Sequence, residues 1–496
     1  MLPPRPSATQ RLFPPSPAKV IAHNVWPISK GEKLSMSDDA TDRQPAYESA
    51  NPDRPASADS TETLLENESS PKAHNPYAAL QYRDYCLFSS GWMLSVIGSQ
   101  LTSSAINWEI YDRTHSKSAI GLAAGIQVIP LALLALPAGA LADMLDRRRI
   151  IQTTNLLAMI FSLLLASQSY GSHPVSLMYL MLLGLSTMQT LGRPARSAML
   201  PQLVPREVFN NAVTWNSSVF QISIIAGQLI GSGVNLWSLR RLHSLRLAYT
   251  LDACCALTFV CMMLFVRRPY AQVDDTPKKS ESMLQRLLAG VQYVRKKEII
   301  LATMTLDLFA VLLGGAVYLL PVFVKDVLHI GADPAKGAMW YSLLKLADGC
   351  GAFVMAIILA HRPPMKRAGR TMLIAVIGFG LATIAFGLSR NYWFSFMMLV
   401  VVGACDSISV VVRHTLVQVL TPDEMRGRVS AVNNVFIGTS NELGGLESGY
   451  TAKWFGPVVS VVGGGIGTLL VVLAVAIKWP QVRKFGSLQQ AKPSDE

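Results

Sequence analysis

Long apolar segments recur through most of this chain, from about Asp84 to Lys478. A helix needs about 20 mostly apolar residues to cross the hydrocarbon core of a bilayer. On that scale the sequence predicts twelve spans, at about 86–112, 118–142, 150–169, 175–196, 208–236, 246–266, 299–323, 338–360, 371–389, 392–416, 429–454 and 457–478. Because lipid offers no hydrogen bonds to the backbone, the expected fold class is an all-α membrane protein with twelve transmembrane helices.

Charged residues are scarce, since 15% of the chain is Asp, Glu, Lys or Arg and 50% is hydrophobic. Soluble globular chains carry about 25% charged residues, so the composition argues against an ordinary soluble enzyme. The net charge of +12 is spread in short clusters between apolar runs. That distribution does not predict a nucleic-acid partner. The six cysteines lack CxxC spacing, so neither a disulfide framework nor a metal site is expected, and no cofactor is predicted.

Positive residues are concentrated in alternate loops. Lys and Arg are enriched before the first span, after each even-numbered span and in the C-terminal tail, while Arg240, Arg241 and Arg246 are exceptions. By the positive-inside rule, both termini of this multi-pass chain are expected in the cytoplasm.

Five segments are predicted from the spans and their connections. Residues 1–75 are rich in Pro, Ser and charged residues and are expected to form a disordered N-terminal extension. Residues 76–266 and 299–479 each hold six spans. Residues 267–298 are expected to be a cytoplasmic linker with an amphipathic helix at the membrane surface, and residues 480–496 a cytoplasmic tail.

A weak internal repeat relates the two groups of six spans. A shift of 217 positions places Arg196 on Arg413 and Asn216 on Asn433, and it superposes span five on span eleven in the same direction. Two parallel six-helix halves are therefore expected.

The junction of spans two and three reads GALADMLDRRRII. This stretch resembles the loop signature G-x-L-A-D-R-x-G-R-R of the major facilitator superfamily, with Gly139, Asp143, Arg147 and Arg148 at their expected positions. Its D-R-R-R ending and the segment at 82–122 are similar to the bacterial efflux branch that includes the enterobactin exporter. Span five reads AGQLIGSG, so it keeps the antiporter signature G-P-x-x-G-G poorly.

The resemblance implies the major facilitator fold with a substrate site between its halves near the bilayer midplane, a location in the bacterial inner or plasma membrane, and transport by alternating access. In that family, the charged residues of this loop hold the cytoplasmic side closed in the outward-facing state. Gly139, Asp143, Arg147 and Arg148 are accordingly predicted to form a cytoplasmic gate motif. The alternative is that the arginines only set the topology.

Rows of polar side chains follow spans one, five and eleven. Residues four, seven or eleven apart lie on one face of a helix, so each row marks a polar face. These faces are predicted to line a cavity, with Gln100, Asn107, Ser217, Gln221, Gln228, Asn434 and Asn441 as lining candidates. Alternatively, the rows hydrogen-bond one helix to another, at about 0.6 to 2 kcal/mol each.

Acidic residues also fall well inside predicted spans. An ionised group at mid-helix costs roughly 2.5 to 3.5 kcal/mol on insertion scales, so it is expected to face a cavity or a partner. Asp307, Asp406 and Glu442 are the candidates for binding a proton or a cationic group. The alternative for Asp307 is a pair with Lys345, and Lys345 and Asp348 are close enough in sequence to neutralise each other.

The remaining buried charges are predicted nearer the helix ends. Glu109 and Asp252 are expected to be solvated or to cap helices. Arg193, Arg196 and Arg413 are expected to snorkel to the cytoplasmic surface, where any of them could instead contact an anionic substrate.

The sequence predicts a transporter, not an enzyme. GxxxxGK[ST] does not occur, so ATP is not the direct energy source, and neither HExxH nor GxSxG is present. The leading interpretation is a monomer that exports a small organic molecule, siderophore-like or drug-like, by proton-coupled antiport. The alternatives are an importer or lipid flipper of the same fold, and a transport-dead membrane sensor or scaffold.

Overall fold

The computed structural model describes residues 76–170, 173–267, 283–362 and 367–486. The extension predicted at 1–75 lies outside the described residues, as do the first part of the predicted linker and most of the predicted tail.

Within these described ranges, twelve long helices form the fold, and each matches a predicted span. The first six are α1 (Arg83–Thr114), α2 (Lys117–Met144), α3 (Arg147–Gln168), α4 (Val175–Met199), α5 (Phe209–Leu242) and α6 (Arg246–Phe265). The second six are α7 (Glu298–Val327), α8 (Pro334–Ala360), α9 (Ala368–Leu388), α10 (Tyr392–Leu420), α11 (Asp423–Phe455) and α12 (Pro457–Lys478). The described residues contain no β-strand, which confirms the all-α fold class.

Ten of these helices are long and apolar enough to cross a membrane. The two others, α1 and α11, carry two of the three predicted polar rows and are less apolar. Both are sheltered by neighbours, since α1 packs against α5 and α6, and α11 packs against α2 and α7. Polar residues on such helices can face the interior of the bundle instead of lipid.

The seventh span is broken, which the sequence did not predict. Regular α-helix ends at Leu313, a 3-10 turn covers Ala316–Leu319, and a π-helical turn covers Phe323–Val327. A Cβ atom on Gly315 would lie 2.6 Å from the carbonyl oxygen of Gly444 in α11. The glycine therefore allows the broken segment of α7 to approach the α11 backbone.

The fifth helix is longer than predicted. It continues past residue 236 to Leu242 and ends where His243 adopts a left-handed conformation with φ of 51°. The added turns carry Arg240 and Arg241, which are both exposed. These arginines thus extend beyond the apolar part of the helix, which accounts for their exception to the charge pattern.

The twelve helices alternate in direction, so α1 begins and α12 ends on the same side. We call this the proximal side and the opposite one the distal side. Within the first half, α6 packs against α1 and α3, and within the second half α10 packs against α8 and α9. The halves meet mainly where α2 packs against α11 and α5 against α8.

The buried apolar core is continuous between the halves on the distal side. One cluster joins Trp108 and Tyr111 of the first half to Phe323, Tyr341 and other residues of the second. The remaining clusters each stay within one half. One of them seats the linker helix (Met283–Lys296) near the start of α11, where the Tyr293 hydroxyl donates to the Leu420 carbonyl at 3.0 Å. The proximal parts of the two halves therefore have separate cores.

Candidate functional site

A polar cavity of about 380 Å³ lies between the two halves. It is bounded by α2 and α4 on one side and by α11 on the other, through Gln127, Leu131, Ser186, Gln189, Thr190, Arg193, Asn434, Ile437, Gly438, Asn441 and Glu442. Sites for small molecules commonly enclose about 300 to 1,000 Å³. We call this the main cavity, and its volume fits a small organic molecule.

The lining of the main cavity is mostly polar, and eight of its eleven side chains are amides, hydroxyls or charged groups. Arg193 of α4 and Glu442 of α11 are the charged members, one from each half. The Tyr318 hydroxyl donates to Glu442 Oε2 at 3.3 Å, and Arg193 and Lys345 are near enough to Glu442 to interact electrostatically. A ligand in this cavity meets a cation on one wall and an anion on the other.

Solvent reaches the main cavity from the proximal side. Arg193, Asn434 and Asn441 are exposed, and the first two lie in the proximal parts of their helices. The buried core joins the halves on the distal side instead.

A second cavity of about 100 Å³ lies between α1, α5, α7 and α8. Its lining includes Gln100, Gln228, Lys345 and Asp348. Gln228 Nε2 donates to Gln100 Oε1 at 2.6 Å, while the buried Gln228 Oε1 has no hydrogen-bond partner among the described residues. Lys345 Nζ donates to Ser103 Oγ at 2.9 Å, which links α8 of the second half to α1 of the first. We call this the inner cavity.

Charged and aromatic groups join α1 to α7 at the distal end. Lys325 Nζ donates to Asp112 Oδ1 at 2.5 Å, and the Tyr111 hydroxyl donates to Asp326 Oδ2 at 2.5 Å. The same ammonium lies 5.8 Å from the ring centre of Trp108 and 5.9 Å from that of Tyr111. Each of these contacts crosses from one half to the other.

Closer to the membrane midplane, α1 and α8 are also joined. Trp108 stacks on Tyr341 with ring centres 6.1 Å apart, and the hydroxyl oxygens of Ser104 and Ser342 are 2.6 Å apart. Asn235 of α5 donates to both hydroxyls at 3.4 Å. These contacts close the space between the halves on the distal side of the two cavities.

Glycines permit a third distal contact, between α2 and α11. A Cβ atom on Gly449 would lie 2.5 Å from the Cα atom of Gly121, and a Cβ atom on Gly121 would lie 3.0 Å from the Cα atom of Gly449. The two backbones therefore touch, and any side chain at either position would separate them.

The predicted gate motif lies on the proximal side, at the end of α2 and the start of α3. Asp143 is exposed and has no hydrogen bond or ion pair within the described part of the chain. Arg147 donates to the Ala198 carbonyl at 2.9 Å and Arg148 to the Leu264 carbonyl at 2.9 Å. Both arginines thus bind unpaired carbonyls near the C-terminal ends of α4 and α6, where positive charge is favourable. Gly139 lies in the last turns of α2.

The predicted cavity-lining residues are distributed over several places. Asn434 and Asn441 line the main cavity, and Gln100 and Gln228 line the inner cavity. Ser217 is exposed and donates to the Val213 carbonyl of its own helix, Gln221 is half-buried and lines neither cavity, and Asn107 donates to the Ser103 carbonyl. The row on α5 therefore faces different surroundings along its length, because the helix is longer than the region where the halves meet.

The three acids predicted to bind a proton or a cationic group, Asp307, Asp406 and Glu442, lie in different surroundings. Glu442 faces the main cavity. Asp307 forms an ion pair with Arg413, and the two residues are 5% and 1% exposed. The alternative pairing of Asp307 with Lys345 is not formed, and the expected snorkelling of Arg413 is wrong, because α7 and α10 bury the arginine beside the carboxylate. Asp406 lies on α10, close enough to Asp348 to interact electrostatically.

Glu109 and Asp252 are buried, contrary to the expectation that they are solvated or cap helices. Glu109 pairs with Arg113 and accepts from the Tyr249 hydroxyl at 2.7 Å. Asp252 Oδ2 accepts from two hydroxyls, Thr102 at 2.8 Å and Ser162 at 2.7 Å. The close packing of α6 against α1 and α3 encloses both carboxyl groups.

Sequence reasoning missed the contribution of α4 to the main cavity. Ser186, Gln189, Thr190 and Arg193 line it together with Gln127 of α2. Their spacing of three, four and seven residues places them on one helix face, so the same test applied to span four would have found them.

A model of the transmembrane secretion effector family matches residues 75–495. The enterobactin exporters of Citrobacter koseri and Escherichia coli O1:K1 are each 25% identical to this chain over 399 residues, and the match covers 79% of this chain and 91% of each relative.

Solved structures of transporters share the fold. A bacterial homologue of the human lysosomal transporter Spinster, in an inward-facing and occupied conformation, superposes with a TM-score of 0.64 at 15% identity, covering 83% of this chain and 99% of the other. A D-xylose-proton symporter superposes with a TM-score of 0.62 at 15% identity, covering 83% and 100%. These similarities concern the fold of two six-helix halves.

Proposed function

Since this chain belongs to the transmembrane secretion effector family of the major facilitator superfamily, a family of multi-pass membrane transporters, we propose that it exports a small polar organic molecule across the bacterial inner membrane. The polar main cavity carries this proposal. It lies between two six-helix halves that share a buried apolar core on the distal side and have separate buried cores on the proximal side.

Alternating access requires a central site that opens to one side at a time. Contacts between Lys325 and Asp112, between Trp108 and Tyr341, and between Gly121 and Gly449 block the distal route. With the positive loops and both termini in the cytoplasm, this arrangement is the state that loads substrate from inside. Loading from inside is the first step of export, and the enterobactin exporters among the relatives support that direction.

The lining chemistry supports a polar substrate. Amides and hydroxyls from α2, α4 and α11 supply hydrogen bonds in several directions, and Arg193 can bind an acidic group. Among the eleven lining residues none is aromatic, so a flat, purely apolar compound would find few partners. Within the two substrate classes predicted from the sequence, a siderophore-like molecule suits this cavity better than a lipophilic drug.

Proton antiport would supply the driving force, with Glu442 as the cavity carboxyl that takes part. Glu442 faces the space that substrate occupies, and it accepts from Tyr318. A proton and a cationic or hydrogen-bonding substrate group would therefore compete for it, and such competition is the basis of antiport. Asp307 is less suited to this role because Arg413 neutralises it in the buried core of the second half.

Transport into everted membrane vesicles tests the proposal. A panel that contains enterobactin, other siderophores and apolar drugs would be offered with and without a pH gradient, to wild type and to Glu442→Gln. We expect gradient-dependent accumulation of a polar compound by wild type and its loss in Glu442→Gln. Glu447→Gln is the matched control, because Glu447 lies on the same helix but lines neither cavity.

Three results would contradict parts of the proposal. Accumulation in right-side-out vesicles instead of everted ones would make the protein an importer. Accumulation that is equal with and without the gradient would remove proton coupling. If every compound enters at the rate of vesicles without the protein, export of these classes is wrong.

A further inference from the structure

We propose that the main cavity selects an extended dipolar molecule, which places a basic group at Glu442 and an acidic group at Arg193, with a polar uncharged segment between them. This inference rests on the proposed function and names the substrate class of the same site. Three observations carry it: the two charges lie at opposite ends of the cavity, neither is paired, and the lining between them is rich in amides.

The two charged side chains mark opposite ends of the main cavity. Helix α4 runs from the distal to the proximal side, so Arg193 is its most proximal lining residue. Helix α11 runs the other way, so Glu442 is its most distal lining residue. The lining of α11 extends from Asn434 to Glu442, which is about 12 Å at a rise of about 1.5 Å per residue. A ligand that reaches both charges is therefore elongated along the helices.

Glu442 stands at the closed end of the cavity. One turn further along α11, a Cβ atom on Gly445 would lie 2.6 Å from Ala124 Cβ of α2 and 2.8 Å from Tyr318 Cδ1 of α7. These contacts close the space directly beyond the carboxylate. Arg193 is exposed at the opposite, proximal end, whereas Glu442 is half-buried. A bound ligand therefore has its basic group at the closed end and its acidic group at the open end.

Neither charge is paired within the described part of the chain. The Arg193 guanidinium has no hydrogen bond there and no carboxylate at ion-pairing distance. Glu442 accepts one long hydrogen bond, from the Tyr318 hydroxyl at 3.3 Å, and likewise has no ion pair. Unpaired charges that face a cavity favour ligand groups of opposite sign. Because Arg193 belongs to the first half and Glu442 to the second, a ligand that binds both joins the halves.

The lining between the two charges suits a polar segment without charge. The side-chain amides of Gln189, Asn434 and Asn441 line this part and have no hydrogen bond among the described residues. Each amide offers both donors and an acceptor. A short peptide has the matching order of groups, with an ammonium, amides and a carboxylate in line. An extended chain covers at most about 3.3 to 3.6 Å per residue, so a peptide of three residues spans roughly 10 Å and fits the length of the cavity.

An ammonium group at Glu442 also agrees with the direction of antiport. Tyr318, Arg193 and Lys345 are the charged or titratable groups near this carboxyl group among the described residues. In the state that is open to the proximal side, the ligand's ammonium takes the place of a proton: the carboxyl O–H bond breaks, its electrons stay on oxygen, and the proton passes to proximal water. When the ligand leaves to the distal side, the carboxylate accepts a proton from there. The proton thus moves opposite to the exported molecule.

Titration calorimetry of the purified full-length protein in lipid nanodiscs tests this inference, with triglycine as the probe. N-acetyl-triglycine lacks the ammonium group, and triglycine amide lacks the carboxylate. In wild type we expect triglycine to bind and each capped derivative to bind about 10- to 150-fold more weakly, which is the usual effect of losing a hydrogen bond to a charged group. Free glycine, whose two charges are too close together to reach both ends, should bind more weakly as well.

Two substitutions assign each charge of the probe to its partner. Arg193→Gln should weaken triglycine and leave triglycine amide unaffected, because that derivative has no carboxylate to lose. Glu442→Gln should weaken triglycine and leave N-acetyl-triglycine unaffected. Arg196→Gln and Glu447→Gln are the matched controls, since these residues lie on the same two helices but line neither cavity. Both controls should bind triglycine as wild type does.

Each result either supports or overturns the inference. It is overturned if wild type does not bind triglycine, if the capped derivatives bind equally well, or if a substitution weakens all three compounds alike. The capped derivatives test wild type alone, so a variant that fails to fold does not prevent a decision. If the paired losses are found but everted vesicles accumulate no compound, the dipolar site stands and the proposed export is wrong. If another compound is exported and triglycine does not bind, export stands and the dipolar class is wrong.

Discussion

The two ends of the interface between the halves differ in kind. At the distal end, side chains of α1 interlock with α7 and α8, and the backbones of α2 and α11 touch. Nearer the middle of both helices, the same pair α2 and α11 lines a polar cavity and remains in side-chain contact, since a Cβ atom on Gly438 would lie 2.7 Å from Leu131 Cδ2. One helix pair therefore forms a tight backbone contact at one end and a looser side-chain contact beside a cavity further along.

This difference shows how the closed end can be both specific and reversible. Hydrogen bonds to charged groups contribute about 1.5 to 3 kcal/mol and exposed ion pairs about 0 to 1 kcal/mol. The pair of Lys325 and Asp112 is partly exposed, with side chains 16% and 33% accessible. A closure made of a few such contacts can be opened by binding energies of a few kcal/mol, as a two-state transporter requires.

The largest expected effect comes from a residue that belongs to one half alone. Asp307→Asn leaves Arg413 buried without its carboxylate, and breaking a buried pair in this way costs about 3 to 5 kcal/mol. We expect a marked loss of thermal stability and of folded protein in detergent, measured by unfolding curves. This would establish that the proximal part of the second half is held by its own core and not by the first half.

Asp252→Asn is the matched comparison for that variant. Asp252 is also buried, but its partners are the hydroxyls of Thr102 and Ser162. An amide oxygen can accept the same two hydrogen bonds, so we expect a much smaller loss of stability, on the order of 1 kcal/mol. Equal losses for the two variants would show that the Asp307–Arg413 pair has no special role.

The next largest effect is expected from a substitution at the distal contact between α2 and α11. Gly449→Val places side-chain atoms where the α2 backbone now lies, and backbone atoms cannot step aside as a flexible side chain can. Overpacking of this kind costs about 1 to 3 kcal/mol, which shifts a two-state equilibrium by roughly 5- to 150-fold. We expect longer distances between spin labels on the distal ends of α1 and α7, and transport at background rate.

Gly463→Ala serves as the control for this substitution. A Cβ atom on Gly463 would have no neighbour within 4 Å, and alanine favours helix over glycine by about 1 kcal/mol. Its label distances should match those of wild type. If Gly449→Val also leaves the distal distances unchanged, the contact of α2 with α11 does not determine the closed state.

Much of the architecture followed from sequence because membrane spans are set by length and hydropathy. The twelve helices match the predicted spans, and the errors fall where those two quantities carry no information. The break of α7 at Gly314 and Gly315 depends on how closely α11 approaches, which is a property of the packed structure. The extension of α5 past residue 236 places Arg240 and Arg241 beyond the apolar segment, where hydropathy no longer marks a helix.

The candidate site was less predictable for a related reason. Helical spacing identifies which residues share a face but not what that face meets. Asn434 and Gln228 were chosen by the same reasoning, yet one lines the main cavity and the other the inner cavity. The partner of Asp307 proved to be Arg413, which is 106 positions away in sequence and was assigned to the surface because it lies toward a helix end.

The smallest effect on the described state is expected from Asp143→Asn. The carboxylate is exposed and has no partner in the described part of the chain, so its removal should leave stability and distal label distances unchanged. If Asp143 engages the second half once the proximal side closes, the same change should remove transport by weakening the opposite state alone. Asp146→Asn, in the same loop, is the matched control: Asn can accept the same hydrogen bond from the Arg148 amide and keep the cap on α3, so stability and transport should both match wild type. Wild-type transport by Asp143→Asn would reduce the motif to the two arginines that bind α4 and α6, and the proximal end would then need another group to close it.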